Sequence, residues 1–331
     1  MGASAALRLM LSTDEGTWGT DTATTRKLHG LTDASLSANQ TVEVVPTVGN
    51  FGPGTVSART AQSGEGSIEF VATYEELPII YNGLFTAIDA SSITSGSPYN
   101  YPYTAPNAST QVVNSYTMEF GTTGQCYQMT GSVFNTLTLK GEAGGLWTGS
   151  VDVLGKRVDP ATMTTEGVNR GVNPIRMADT SLYVDAFSTG TIGTTLTSGT
   201  LISFELSVNP NRHLKTFAGS EAPASWGDGR WEGSLKTVVE FNSSAKALID
   251  EMLGSTGVQL QKQVRLYATE GSSASVRSAT VDFAGVVSDP VKFFDDRDGN
   301  MTIEVTWQGK YSTGLGNWLG VACQNGTSST T

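Results

Sequence analysis

Glu65-Gly66-Ser67-Ile68-Glu69-Phe70 returns later in the chain as Glu232-Gly233-Ser234-Leu235-Lys236-Thr237, an offset of 233 − 66 = 167 residues. Each copy runs straight into an apolar pattern of helical period. In the first, Leu77, Ile80, Tyr81, Leu84 and Phe85 fall at i, i+3, i+4, i+7 and i+8. In the second, Ala245, Leu248, Ile249, Met252 and Leu253 take the same steps, at an offset of 245 − 77 = 168. That spacing sets the side chains along one stripe of a helix. A strand-to-helix unit written twice implies a duplicated domain, and duplication favours scaffolds and assemblies over a single catalytic cleft.

The correspondence is collinear along both halves. Leu36-Ser37-Ala38-Asn39 matches Leu206-Ser207-Val208-Asn209, at 206 − 36 = 170. Gly131-Ser132-Val133 matches Gly285-Val286-Val287, Gly145 matches Gly299, and Gly155-Lys156 matches Gly309-Lys310, all at 309 − 155 = 154. Val151 and Val153 stand opposite Val305 and Trp307 with strand alternation in both copies.

At 331 residues the chain has room for two domains, each with its own core. Gly is abundant at 38 residues and charged residues make up only 15%, with Ser and Thr between short apolar alternations. This is the composition of a mainly β protein with many turns. With 20 Lys+Arg against 31 Asp+Glu the formal net charge is −11. Phosphate-neutralising DNA binding needs clustered Lys and Arg, and none occurs. DNA that must slide past is a different case, because like-charge repulsion then helps.

No apolar run reaches the length of a membrane span. Met1-Gly2-Ala3-Ser4 lacks a signal-type basic region and apolar core, and Ala6 stands where a myristoylation motif wants Ser or Thr. Cys126 and Cys323 are expected to remain reduced thiols.

Strands are expected at Ala6–Leu11, Ser35–Val45, Ser115–Phe120, Gln125–Thr130, Val133–Lys140 and Leu146–Leu154. In the second half they are expected at Ser181–Asp185, Leu201–Val208, Gly233–Phe241, Gln263–Thr269, Thr280–Val287 and Met301–Trp307. The helices are expected over Leu77–Phe85 and Ala245–Leu253. Pro46–Ser63 and Pro210–Asp228 read as long loops at equivalent places, suited to touching a neighbouring subunit. Ala90–Thr110 reads as irregular. The domains are expected over residues 1–157 and 178–312, with a linker at 158–177 whose irregular stretch is Val158–Pro174. Residues 313–331 read as a mobile tail.

The residues that could carry chemistry all have plainer readings. His29 and His213 have no His/Cys cluster around them, so no metal site is expected. Neither sits near a nucleophile elbow of the G-x-S-x-G type. Phe294-Asp295-Asp296-Arg297-Asp298-Gly299-Asn300 resembles a calcium loop, but Phe294 occupies the first ligand position, and Asp298-Gly299 is a hairpin signal. Glu65, Glu69 and Glu232 sit in repeated strands and are not expected to converge on one sugar. Gly155-Lys156 and Gly309-Lys310 end strands, whereas a phosphate-cradling loop opens a helix. No catalytic, cofactor-binding or metal residue is assigned, and no enzyme is expected.

Tyr116-Thr117-Met118-Glu119-Phe120, Gly124-Gln125-Cys126-Tyr127-Gln128-Met129-Thr130-Gly131-Ser132-Val133, Leu137-Thr138-Leu139 and Gly145-Leu146-Trp147-Thr148-Gly149-Ser150-Val151-Asp152 together resemble the tail tube proteins of long-tailed bacteriophages. The Gly66-Ser67 strand with the helix ending Leu84-Phe85, and the opening Glu15-Gly16-Thr17-Trp18-Gly19-Thr20, are similar to that family too. The resemblance covers most of residues 1–157 and, more weakly, 178–312. It implies two tandem antiparallel β-sandwich or barrel domains, each flanked by one α-helix. It implies that subunits join sheet edges into rings that stack as a virion tail tube, assembled in the host cytoplasm. Three chains would supply six domains per ring, with a tape-measure protein and terminator and initiator proteins as partners. DNA would pass through an acidic lumen without specific binding. A virion adhesin or carbohydrate-binding β-sandwich would instead need an exposed aromatic platform, and a hydrolytic jelly roll would need convergent carboxylates or a His cluster.

Overall fold

In the computed structural model the described residues are 7–49, 51–88, 98–109, 111–165, 171–187, 190–197, 200–254, 260–271, 276–288, 292–297 and 299–326. The first half comprises β1 (Arg8–Ser12), β2 (Thr24–Lys27), β3 (Leu31–Val45), β4 (Val56–Val71), α1 (Leu77–Leu84), β5 (Tyr99–Thr104), β6 (Tyr116–Gly121), β7 (Cys126–Glu142), β8 (Thr148–Gly155) and β9 (Arg157–Ala161). A 3-10 turn at Met177–Asp179 leads to β10 (Thr180–Ala186), β11 (Leu201–Asn209), β12 (His213–Lys215), β13 (Ser225–Gly227) and β14 (Glu232–Glu240). There follow α2 (Ser243–Gly254), β15 (Gln261–Glu270), β16 (Arg277–Val287), β17 (Lys292–Arg297), β18 (Asn300–Gly309) and β19 (Leu319–Asn325). The protein is mainly β with antiparallel pairing throughout, as expected from its composition.

The longest run of paired strands is β3–β4–β8–β7–β11–β14–β18–β17. The other two runs are β2–β1–β6–β7–β9 and β10–β15–β16–β19–β5. β7 belongs to two of them. Its first part pairs with β6 and β9, and its later part, from Val133, pairs with β8 and β11. The change comes at Gly131, whose φ is +66° and where an added Cβ would lie 2.9 Å from the Trp18 ring. Only glycine takes that backbone without strain. The sequence therefore reads as two strands where there is one bent strand serving both sheets.

Alternation places apolar side chains on one face. Phe70, Gly149, Leu139, Leu206, Leu235 and Trp307 form one cross-strand row over six strands. The adjacent row is Asp33, Glu69, Ser150, Thr138, Ser207, Ser234 and Gln308. One row packs inward and the next faces outward, as a period of two requires. One large apolar core runs through both halves, with Trp147 and Phe204 in edge-to-face contact at 4.8 Å, and a small second cluster is formed by Met10, Cys126 and Met163.

Several contacts occur twice. Lys156 N–H donates to Thr130 O at 2.8 Å, and Lys310 N–H donates to Ala284 O at 2.9 Å. The Lys156 ammonium lies over the Trp18 ring at 5.6 Å, and that of Lys310 over the Phe187 ring at 5.5 Å. The pairing sets Leu36 beside Gly66 and Val153, and Leu206 beside Leu235 and Trp307. The flanking strands thus follow their sequence offsets, while the Gly-Ser motif is two residues out of step with them. A slip of two keeps every side chain on its face. The two glycines also answer to different neighbours: a Cβ on Gly66 would meet Ser35 O at 2.4 Å, and one on Gly233 the Trp318 ring at 2.4 Å.

The helices differ in burial. All eight residues of α1 are buried. α2 starts at an Asn242 cap, whose Oδ1 accepts from Ser244 N–H and Ala245 N–H at 3.0 Å each. It buries Ala245 and Ile249, half-buries Leu248, and leaves Leu253 68% exposed. Beside it is a cavity of ≈ 270 Å³ lined in part by Leu182, Val184, Leu196, Leu248 and Trp307.

Four expectations are corrected. Pro46–Ser63 is strand from Val56 onward, because β3 and β4 continue as one long hairpin out to Val45 and Val56. Both faces of that hairpin are exposed there, so no core imposes an apolar period. The linker region begins as β9, paired with β7, and later bridges Thr73 to Pro174 and Leu146 to Arg176. The tail contains β19, buried between β16 and β5, with Leu319, Val321 and Cys323 inward. Ala90–Thr110, expected to be irregular, contains β5; other parts of it, of the linker and of the tail lie outside the described residues.

Unequal helix packing has a measurable consequence. Ile80→Ala in α1 should cost about 2–5 kcal/mol in urea unfolding, from lost transfer energy plus a cavity. Leu248→Ala, half-exposed beside existing empty space, should cost on the order of 1 kcal/mol.

Candidate assembly interface

The residues singled out for chemistry do not converge. Glu65 and Glu69 lie on β4 and Glu232 opens β14, with β8, β7 and β11 between them. His29 Nδ1 is 3.3 Å from Glu76 Oε1, and the same carboxylate accepts the N–H groups of His29 and Gly30 at 2.6 and 3.0 Å. His213 is exposed on β12. Among the described residues no group of three or more His, Cys, Asp or Glu is placed to hold a metal. The calcium-like stretch is the β17–β18 hairpin, with Gly299 at φ +81°; Asp298 lies outside the described residues. Both cysteines are free and buried. Of the six tryptophans none is exposed: Trp147, Trp307 and Trp318 are buried and Trp18, Trp226 and Trp231 half-buried.

What the fold does build is a seam between the two halves. The later part of β7 pairs with β11 over Leu137↔Val208, Leu139↔Leu206, Lys140↔Glu205 and Glu142↔Ser203. Lys140 Nζ and Glu205 Oε1 meet at 3.2 Å on the polar face.

Arg212 closes the seam, and the sequence gives no local sign of it. Its side chain is 0% exposed. The guanidinium donates to Asp228 Oδ1 at 2.8 Å, to Gly83 O at 2.8 Å, to Leu84 O at 2.6 Å and to Phe134 O. Trp226 and Trp231 flank it, with ring centroids 5.0 and 5.9 Å away. Its backbone N–H donates to Asn135 Oδ1 at 2.8 Å. Burial pulls the Arg212 pKa down and Asp228 opposes that shift. The geometry suits a planar five-donor cation at a helix C-terminus, where carbonyls carry partial negative charge. A second-half loop thereby locks onto first-half α1, and Trp231 also stacks on Phe85 at 5.6 Å.

The opening motif acts as a clasp. Glu15 accepts hydrogen bonds from Gly19 N–H, Thr117 Oγ1 and Gly131 N–H at 2.8 Å each, and from Ser115 Oγ at 2.9 Å. Trp18 Nε1 donates to Gly131 O at 2.9 Å, which holds the ring at the bend of β7.

Two features face outward. Among the described residues β3 pairs only with β4 and β17 only with β18, so the eight-stranded run ends in two open edges. Its polar face carries Asp33, Glu65, Glu69, Asp152, Glu205 and Glu304 against Lys140 and Lys236. Both lysines are taken up, Lys140 by Glu205 and Lys236 by Glu304 at 2.8 Å. The surface left over is acidic and rich in Ser and Thr. Such an arrangement joins strands and repels anions.

A family model described as "Phage tail tube protein" matches residues 2–309. A search of curated proteins gives no match. The chain belongs to the phage tail tube protein family; it is a structural component of the virion tail.

Removing the Arg212 clasp should cost the fold dearly. Arg212→Ala leaves the Asp228 carboxylate buried without its counter-charge and removes the guanidinium from the carbonyls of Gly83, Leu84 and Phe134, so unfolding should be easier by about 3–5 kcal/mol. Arg212→Lys should recover only part of this, because an ammonium cannot reproduce the fork. Urea denaturation of the three proteins checks the order.

Proposed function

We propose that the two halves are tandem tube domains, residues 1–157 and 178–312 joined through residues 158–177, and that three chains close a ring of six domains. The observation that carries this is the β7–β11 seam. β3–β4–β8–β7 and β11–β14–β18–β17 are consecutive four-strand units with the same connection order, joined edge to edge within one chain. The duplicated sequence pattern and the paired Lys156 and Lys310 contacts support common descent of the halves. The open edge of β17 is then the counterpart of the later part of β7, and the open edge of β3 that of β11.

Offsets give the register between chains. Lys140 and Asp295 pair with Thr148 and Thr302, so β7 and β17 correspond at 295 − 140 = 155. With 206 − 36 = 170 for β11 and β3, the Glu142↔Ser203 pair becomes Arg297↔Asp33 between chains. Opposite charges face each other at that position. Ring closure also removes the two open edges, which otherwise template aggregation.

In such a ring the acidic face of the eight-stranded run lines the channel. Like charge and short hydroxyl side chains let duplex DNA slide during ejection. The hairpin tip around Pro46–Thr55 and the loop Pro210–Asp228 reach the next ring. Assembly takes place in the host cytoplasm around a tape-measure protein, bounded by initiator and terminator proteins.

Cryo-electron microscopy of assembled protein tests the stoichiometry. Three chains with β17 paired to the next chain's β3 are expected; six chains with one domain hanging outside overturn the reading. Asp33→Arg should block ring closure, and adding Arg297→Asp should restore it. Deleting Gly49–Ala58 should leave rings that fail to stack into long tubes, as seen by negative stain.

A further inference from the structure

We infer that the outer end of α2 is a docking surface for a second copy of this chain, and that its occupant is the base of that copy's β3–β4 hairpin, centred on Val42. The inference rests on the ring reading above and adds a second contact to the strand seam. Its starting point is the inequality of the two helices. α1 is wholly buried between first-half residues such as Tyr103, Tyr116 and Phe134 and a second-half cover at its C-terminal end, where Arg212 takes the carbonyls of Gly83 and Leu84 and the Trp231 ring lies against Phe85. α2 has no such cover among the described residues. Lys246, Ala247, Asp250, Glu251, Leu253 and Gly254 are all exposed.

The element that covers α1 leaves the end of β11, the strand that pairs across the seam. At the corresponding point β3 does not turn away but continues as strand to Val45, so the counterpart of that element is the hairpin itself. At the β11–β3 offset, Arg212 corresponds to 212 − 170 = 42, which is Val42. At the helix offset, Phe85 corresponds to 85 + 168 = 253, which is Leu253. Both residues are large, apolar and exposed, Val42 at 55% and Leu253 at 68%. Val44 continues the apolar surface on the same face of the hairpin at 56% exposure, while Val45 and its cross-strand partner Val56 lie on the other face. Exposed aliphatic side chains clustered on a strand pair mark a contact site.

The chemistry of the two junctions therefore differs. Within the chain the helix end is sealed by a buried cation on carbonyls, formed once on folding. Between chains it is sealed by apolar contact between Leu253 and the valines, which needs no buried charge and can form between folded subunits. The Val42 base sits within a ring, and the hairpin tip beyond it is left to reach the next ring.

Val42→Cys with Leu253→Cys, treated with a short bis-maleimide after assembly, tests the contact. Cys126 and Cys323 are buried, and burial pushes both thiols up, Cys126 to about 11, so neither competes as a thiolate. Covalent dimers and trimers from assembled protein, absent with either single cysteine, are expected. Rings or tubes that form without cross-linked chains overturn this contact while leaving the strand seam standing. Failure of the wild-type protein to form three-chain rings overturns the ring reading and this inference with it. As a second measurement, Leu253→Asp should leave the monomer's Tm unchanged, since the residue is exposed, and lower ring yield on the order of tenfold or more. Leu253→Lys with Val42→Asp should restore rings; wild-type yield from Leu253→Asp overturns the contact.

Discussion

The pairing of β7 with β11 is the constraint on which the rest of the structure depends. It turns two four-strand units into one eight-stranded sheet and fixes the polar face of both units on the same side. Strand pairing alone does not set the angle or permanence of such a junction, because each ladder hydrogen bond contributes only about 0.5–1.5 kcal/mol net. Arg212 adds what the ladder lacks. A buried guanidinium is costly to desolvate, and here Asp228 and three carbonyls satisfy it while two indole rings cover it. The halves cannot separate without stranding that charge.

β5 and β19 tie the halves together from the other direction. β5 belongs to the first half by sequence, yet it extends the β10–β15–β16–β19 run of the second. Tyr103, on β5, donates from its hydroxyl to Pro78 O at 3.1 Å and to Asn82 Oδ1 at 2.9 Å, both on α1. Asn325, ending β19, donates to Tyr74 O at 2.7 Å. Each half therefore completes the other's core.

Much of this was legible in the sequence, and each failure has its own physical cause. The helical stripes, the strand alternation and the Gly-containing hairpins follow from local periodicity, and a face packed on a core writes its period into the chain. Where no core touches both strands, as in the outer β3–β4 hairpin, the period is lost and the segment reads as loop. Gly131 reads as a break because a bend between two sheets uses the same residue as a turn. β19 carried a visible signal in Leu319, Val321 and Cys323, masked by the Gly, Ser and Thr around it. Arg212 had none: its partners are Asp228 and the carbonyls of residues 83, 84 and 134, distant in sequence from residue 212. A side chain whose surroundings are wholly non-local cannot be found by motif.

The contact proposed for position 42 would separate folding from assembly. Two equivalent junctions need not be equally strong. The one inside the chain forms once and gains from a buried ionic clasp, which is favourable only when every donor is satisfied. The one between chains must stay open in the monomer, where a buried-type cation would be left hydrated and a stranded acid left behind. Valine at position 42, the partner proposed for Leu253, carries no such requirement. Its apolar contact grows with area buried, at about 25 cal/mol per Å², and is gained only when rings close. Arginine in one copy and valine in the other are thus two solutions to one geometric problem, chosen by when the contact has to form.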